Sequence, residues 1–449
     1  MRKVSRVFYM RRVSFAVFVF AAAIMPLIPA GGSPLAQLDA RYDHGSIAYS
    51  KTAPSDPVAQ LAQRIDSGEI QLQKDDKRGF LPAILRELKI SPSSQSLVFS
   101  KTSFQFTQIV PARPRALYFN DDVYVGSVQG SPLLEFAAVD PKLGGVFYTL
   151  DTSEGTKLKF EREVYACLLC HDSSVSTNGV PGFMTLSVTP DPEGNASRTA
   201  GTAPMSDQTP FNERWGGWYV TGTHGSQFHR GNAVVSLGAY LPRFDWSKGA
   251  NLRTLSDRID TTPYLTPYSD IVALMTLTHQ SNIHNLITRA NYDTQQAIAQ
   301  EESAYAGIAR RAGDGYSALT NERIRAAVEP LVRGMFFVNE APMTEPVRGV
   351  SGFAAEFEKG GIRDRKGRSL KDLDLNRRFL RYPLSYIIYT EAFDALPDAA
   401  RKYFYQRTRA ILSGAETAKS FAHLSPDDRT AIHEILMDTK PEYRQLAGS

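Results

Sequence analysis

The hydrophobic pattern of this chain changes period once, and that change limits what it can fold into. From 95 to 150, short apolar runs (SLVFSKTSFQFTQIV, RALYFNDDVYVGSV, LLEFAAVD, GGVFYTL) are punctuated by Pro, Gly and Asp-Pro turns, which predicts strands. From 269 onward the apolar residues recur at helical spacing, with Ser269 or Asp270 as N-cap of a long helix. Further helices are predicted at 318–340, 382–395, 398–413 and 425–438, the last capped by Ser425, and a short helical pattern at 57–89 is broken by GEIQLQKDDKRG. No internal repeat is visible. The expectation is an α+β chain: a strand- and loop-rich region followed by a mainly α-helical C-terminal region.

The N-terminus reads as a targeting segment. Arg2, Lys3, Arg6, Arg11 and Arg12 precede an apolar run, VSFAVFVFAAAIMPLIPA, and then small residues, which describes a secretory signal peptide over 1–36, cleaved after Ala30 or Ala36. Pro26 and Pro29 interrupt the run, so an uncleaved anchor is the less fitting alternative. The whole chain carries a net charge of +4, but without residues 1–36 it has 46 basic against 47 acidic side chains. No basic surface for nucleic acid is implied. No glycine-rich phosphate loop follows a predicted strand, and there is no GxSxG elbow. A periplasmic or otherwise exported protein, with no stable membrane span after cleavage, is expected.

The only two cysteines of the 449 residues are Cys167 and Cys170, in VYACLLCHDSS, with His171 next. Cys-x-x-Cys-His is the attachment pattern of a c-type haem. Two thiols three apart add to the porphyrin vinyl groups, and the following histidine reaches the iron as proximal ligand. A thioredoxin-like redox pair would need a βαβ setting, and the stretch before it, KLKFEREVYA, offers none. A zinc site would need a further Cys or His pair at matching spacing. One covalent haem c is the expected cofactor, and 95–250 becomes a strand/loop haem-attachment domain between a lead-in with short helices (37–94) and a helical domain (251–449).

The distal iron position stays open among several residues. Met184 lies in VPGFMTLSV and Met205 in the loop GTAPMSD. His224 and His229 belong to RWGGWYVTGTHGSQFHRGN, which also holds Trp215 and Trp218; this stretch reads either as a wall of the cofactor pocket or as an aromatic-clamped surface loop. His279 shares a helix face with Val272, Met275, Ile283 and Leu286, while His284 points about 140° away around that helix. Arg214 and Arg230 flank the tryptophans and are candidate partners of the haem propionates. Asp121–Asp122 reads as a turn between strands or as a cation site.

The stretches RALYFNDDVYVG, DPKLGGVFYTLD, CLLCHDSSVSTNGVPG, RWGGWYVTGTHG, HQSNIHN and RYPLSYIIYTEAFDALP together resemble a family of large secreted bacterial proteins carrying one cytochrome c-type haem domain. Members often read His-Met-Gly-Asn where this chain has His229-Arg230-Gly231-Asn232, so no distal ligand is carried over. The resemblance implies haem binding and electron transfer with a redox partner protein or a small-molecule donor or acceptor. A haem-dependent enzyme, peroxidase- or oxidase-like, and a haem-based sensor are the alternatives. The chain is about four times the ~100 residues a single-haem carrier needs.

Overall fold

The computed structural model describes residues 45, 47–197, 201–236, 243–306 and 315–447. The expected signal segment lies outside the described residues. Among them, no helix is long and apolar enough to cross a membrane.

The strand patterns close into one six-stranded antiparallel sheet in sequence order: β1 (Ser96–Val98), β2 (Arg115–Phe119), β3 (Val123–Val128), β4 (Leu133–Asp140), β5 (Gly144–Asp151) and β6 (Phe160–Arg162). Consecutive antiparallel strands need no crossover; short turns join β2 through β5, while residues 99–114 link β1 to β2. The β2–β3 turn shows why: Asn120 Oδ1 accepts from the N–H groups of Asp122 (3.1 Å) and Val123 (2.9 Å), so Asp121–Asp122 sits in an Asx-type turn. The expected strand SLVFSKTSFQFTQIV is realised only at Ser96–Val98. Beyond it, Phe99 and Ser100 donate to Gly217 O, and Ser103 turns its hydroxyl to Glu135, so the segment leaves the ladder.

Side chains alternate across this sheet. Ala116, Tyr118, Val123, Val125, Leu134 and Phe136 face α1 (Pro57–Asp66) and α2 (Leu81–Glu87), burying Val58, Leu61, Ile84 and Leu85. Phe119, Tyr124 and Val139 face the long helix α4 (Ile271–Ala304), after the single-turn α3 (Leu168–His171) that bears the cysteines. Asp270 caps α4 by accepting from Val272 N. Most of its first twenty residues are buried on every side, as in a helix enclosed by the fold.

Beyond α4 lie α5 (Ala318–Met335), α6 (Phe353–Lys359), α7 (Glu391–Asp394), α8 (Asp398–Leu412), α9 (Pro426–Thr439) and α10 (Pro441–Ala447). Ser425 and Asp428 form a capping box on α9. The helix expected at 382–395 is instead a 3-10 turn, Tyr386–Tyr389, followed by α7, because the Ser385 and Thr390 side chains each cap a new start. A two-stranded ribbon, β7 (Leu186–Val188) with β8 (Thr202–Pro204), crosses the loop-rich middle. The α+β architecture is as expected. One apolar core joins Val98, Phe119, Tyr124, Trp215 and Trp218 to the C-terminal helices, so the segments on either side of residue 250 share their interior.

Candidate functional site

The cysteine turn leaves the sheet edge at β6, where Glu163 N donates to Phe147 O at 2.9 Å. Leu168 is buried and anchors the turn. The N–H groups of Cys170 and His171 both donate to Cys167 O, at 3.1 and 2.9 Å, closing one helical turn. Residues three apart on a turn share a face, so the spacing brings the two thiols to one side. Both are free; Cys170 is exposed and Cys167 partly buried. Burial, reinforced by the negative charges of Glu163 and Glu135, pushes the Cys167 thiol up to about 12. A thiol held protonated is the reverse of a redox-active thiolate, which needs a lowered pKa.

The His171 ring packs against Phe147, with centroids 4.5 Å apart. Its Nδ1 lies 2.9 Å from Gly182 O. A carbonyl only accepts, so Nδ1 carries the proton and Nε2 presents its lone pair, with no hydrogen-bond partner among the described residues. Desolvation holds the imidazole down at about 4, so the ring is neutral. A histidine that binds a metal through one nitrogen commonly donates its other ring N–H to a carbonyl in this way.

The acceptor is itself clamped. Gly182 N returns a bond to His171 O (3.0 Å), and Gly145 N at the start of β5 donates to Pro181 O (2.9 Å). Asn285 of α4 then pairs with both backbone groups of Phe183, accepting from its N–H at 2.8 Å and donating to its carbonyl at 2.7 Å. Gly182 has to be glycine, because a Cβ there would overlap the Asn285 side chain. The sheet and the central helix thus hold the loop against which His171 is set.

The other sequence candidates are placed elsewhere in the packing. Arg214 is buried and spends its guanidinium on Thr209 O (2.7 Å) and Asp207 O (2.8 Å). Arg230 lies over the Trp246 ring. Trp218 donates to Leu186 O, and Trp215 is fully enclosed in a left-handed conformation, φ 63°. His224 has both nitrogens engaged, with Gln227 O and Asn251 N. His229 accepts from Gly231 N through Nδ1, and its buried Nε2 has no partner among the described residues. His279 is bonded at both nitrogens, to Asp207 and Ser385, each at 2.7 Å. His284 donates from Nε2 to Asp121 O, and its Nδ1 has no partner among the described residues. Met205 Sδ accepts from Trp215 N. Met184 is partly buried, 3.8 Å from Ser176 Oγ on the loop that follows His171.

Four residues beside the turn have no local sequence pattern. Gly182 and Asn285 are described above; Arg115 and Glu135 form an ion pair whose charges act on both Cys167 and His171. Cross-strand register joins them: Glu135 pairs with Gly126, and Arg115 lies across Gly126 where a side chain would stand. Only the alternation of their strands hinted at a shared face.

Among the described residues no group of three or more His, Cys, Asp or Glu side chains converges on a metal position. The residues present would fit one covalent haem: two free thiols three residues apart could bond the porphyrin's vinyl groups, and one neutral imidazole with an uncommitted nitrogen could bind the iron. Comparison with protein families, curated proteins and solved structures finds no match to this chain.

Proposed function

We propose that this chain is an exported c-type cytochrome that binds one haem covalently through Cys167 and Cys170, takes His171 as iron ligand and transfers electrons. The observation that carries the reading is the state of His171: Nδ1–H committed to a clamped backbone carbonyl, Nε2 free, one residue from the second thiol. Each thiol would add across one vinyl group, its sulfur forming the new S–C bond and its hydrogen passing to the neighbouring carbon, with no oxidant required. When bound, the haem supplies a one-electron iron couple. Gly182 fixes the imidazole's tautomer, Phe147 fixes its plane, and the protonated Cys167 is kept from forming a disulfide ahead of attachment. The electrons would pass to a redox partner protein or a small-molecule donor or acceptor.

A second reading, a haem-dependent redox enzyme, draws support from the engagement of His224, His279 and Met205 within the protein, which reduces the residues free to fill the sixth position. Carbon monoxide and cyanide separate the two: a carrier with both axial sites filled leaves its spectrum unchanged, and an enzyme with an open site binds them.

The attachment itself is tested with the full chain expressed alongside haem-attachment machinery. Wild type should stain for covalent haem in a denaturing gel, and C167A/C170A should not. Staining that persists in the double variant, or a colourless wild type, sinks the proposal.

A further inference from the structure

Half of the exposed large apolar side chains lie on two short segments: Phe104 and Phe106 on one, Tyr165, Leu169 and Val175 on the other, five of the ten in the described chain. Leu169 and Val175 are 70% and 74% exposed, and Phe104 is 68% exposed. Single exposed apolar residues need no explanation, but a concentration of them does.

The two segments belong to one place. The 103–106 turn is tied to the sheet by Ser103 Oγ on both Glu135 oxygens (3.2 Å each) and by Gln105 Nε2 on Leu133 O (3.2 Å). Gln105 is buried while its neighbours Phe104 and Phe106 stand outward. Leu133, Glu135, Ala137 and, across the ladder, Thr149 and Phe147 share one sheet face, and Phe147 is the residue packed against His171. That face is covered by α4 only at its Phe119–Tyr124–Val139 end. Toward the other end Glu135, Ala137 and Thr149 are only half-buried, and Gly126 is buried beneath the Arg115 side chain. The phenylalanine turn bonds this end through Leu133 and Glu135, and the cysteine segment meets it at Phe147 and, through Glu163, at Thr149. Arg115 is paired with Glu135 through Nη2, yet its Nε is buried and has no partner among the described residues.

We infer that this end of the sheet face receives the haem, with Phe104 and Phe106 covering the macrocycle and Arg115 holding a propionate. The inference rests on the covalent-haem reading and adds the seat and the anionic partner. Three features meet here: half-buried sheet residues beside the attachment thiols, exposed apolar side chains, and a guanidinium with an unused donor. A planar guanidinium fork suits a carboxylate. Of the sequence-based candidates for the propionates, Arg214 spends its guanidinium on two backbone carbonyls and Arg230 lies over the Trp246 ring.

Hydroxyl-radical footprinting read by mass spectrometry tests the seat. Haem-loaded wild type is compared with unloaded C167A/C170A. Oxidation of Phe104, Phe106 and Leu169 should fall several-fold on loading, while Phe228 and Leu319, exposed at other sites, serve as controls and stay constant. The second arm is R115Q in the loaded protein. Removing a cation beside the iron favours the ferric state, so the reduction equilibrium should shift about tenfold toward oxidised, roughly 59 mV for one electron, with covalent staining retained; R115K should fall between. Stained wild type whose Phe104 and Phe106 oxidise equally in both forms, or R115Q with an unchanged midpoint potential, overturns the seat while leaving attachment intact. A wild type that does not stain overturns both.

Discussion

The clamp behind His171 can be measured as a coupling energy between Gly182 and Asn285. Asn285→Ala removes two hydrogen bonds, at 2.8 and 2.7 Å, and leaves the Phe183 N–H and carbonyl buried without partners. Each orphaned group costs about 1–3 kcal/mol, so the single variant should lose about 3 kcal/mol. Gly182→Ala puts a methyl group into the Asn285 side chain, 2.9 Å from Cγ and 3.1 Å from Thr177 Cβ; forced contacts of this kind cost about 2 kcal/mol. If the two effects were independent, the double variant would lose about 5 kcal/mol. They are not independent in this structure, because Asn285→Ala removes the atom that the new methyl strikes. The double variant should therefore be destabilised by at least about 1 kcal/mol less than the sum. Urea unfolding followed by far-UV circular dichroism gives the four stabilities. In stained protein the two single variants should also move the midpoint potential, since both displace the carbonyl that orients His171. Additivity within about 0.5 kcal/mol would mean that Gly182 and Asn285 do not touch, and the clamp would have to be abandoned.

Asp122 lines a cavity of about 320 Å³ with Asp121, Lys371, Tyr386 and Glu391. Burial first, then the charges of Asp121 and Glu391, raise its carboxyl to about 7. The folded state binds this proton more tightly than the unfolded chain, so its contribution is present below about pH 4 and is lost as pH rises through 7. Between pH 4 and 8 wild type should lose about 4 kcal/mol more than Asp122→Asn; parallel stability curves would show that Asp122 ionises normally. Asp207, His279 and Ser385 reproduce the order of a hydrolytic triad at 2.7 Å spacings, but His279 and Ser385 are fully enclosed. Ser385 should stay unlabelled by a fluorophosphonate probe, with Ser385→Ala costing about 1–2 kcal/mol through the lost bond; labelling at Ser385 would mean a site opens there. A fragment ending at residue 260 lacks α4 and exposes Phe119, Tyr124 and Val139, so it should not unfold cooperatively; a sharp thermal transition for it would contradict the shared core.

What the sequence disclosed follows from the range of each interaction. Strand and helix periods are local, and so are caps: Asp270 and Ser425 start α4 and α9 as their positions predict. The Cys-x-x-Cys-His turn is local as well, being one helical turn wide. Its supports are not. Asn285 is 102 residues from Phe183, and Arg115 reaches Glu135 only through the β2–β3–β4 register. Two local readings failed where side chains competed with the backbone: Ser103 drew the 99–110 segment off the ladder, and Ser385 and Thr390 split the expected 382–395 helix. The tryptophan stretch was legible as unusual but not as to its packing. Trp215 and His229 stack edge-on at 5.5 Å inside the protein, and His224 lies 4.8 Å from His229.

The polar residues of α4 explain why a chain of this size surrounds one cysteine turn. Burial of its apolar side chains gives the helix stability but says nothing about which loops lie against it, since hydrophobic contact has no direction. Its buried polar groups do. His279 bonds Asp207 and Ser385, Gln280 bonds Asn120 O and the Tyr124 hydroxyl, His284 bonds Asp121 O, Asn285 bonds Phe183, and Tyr292 bonds Leu143 O. Together these bonds seat several turns and loops of the strand half and the helical half at fixed heights along one helix. A buried amide or imidazole left without its partner costs more than a methyl group would in its place, so each pairing excludes neighbouring registers. The loop that accepts the His171 proton is one of the elements seated this way. A strand domain on its own could present Cys167 and Cys170; holding the imidazole to one tautomer and one direction takes the helix, and keeping that helix dry takes the layer of helices outside it.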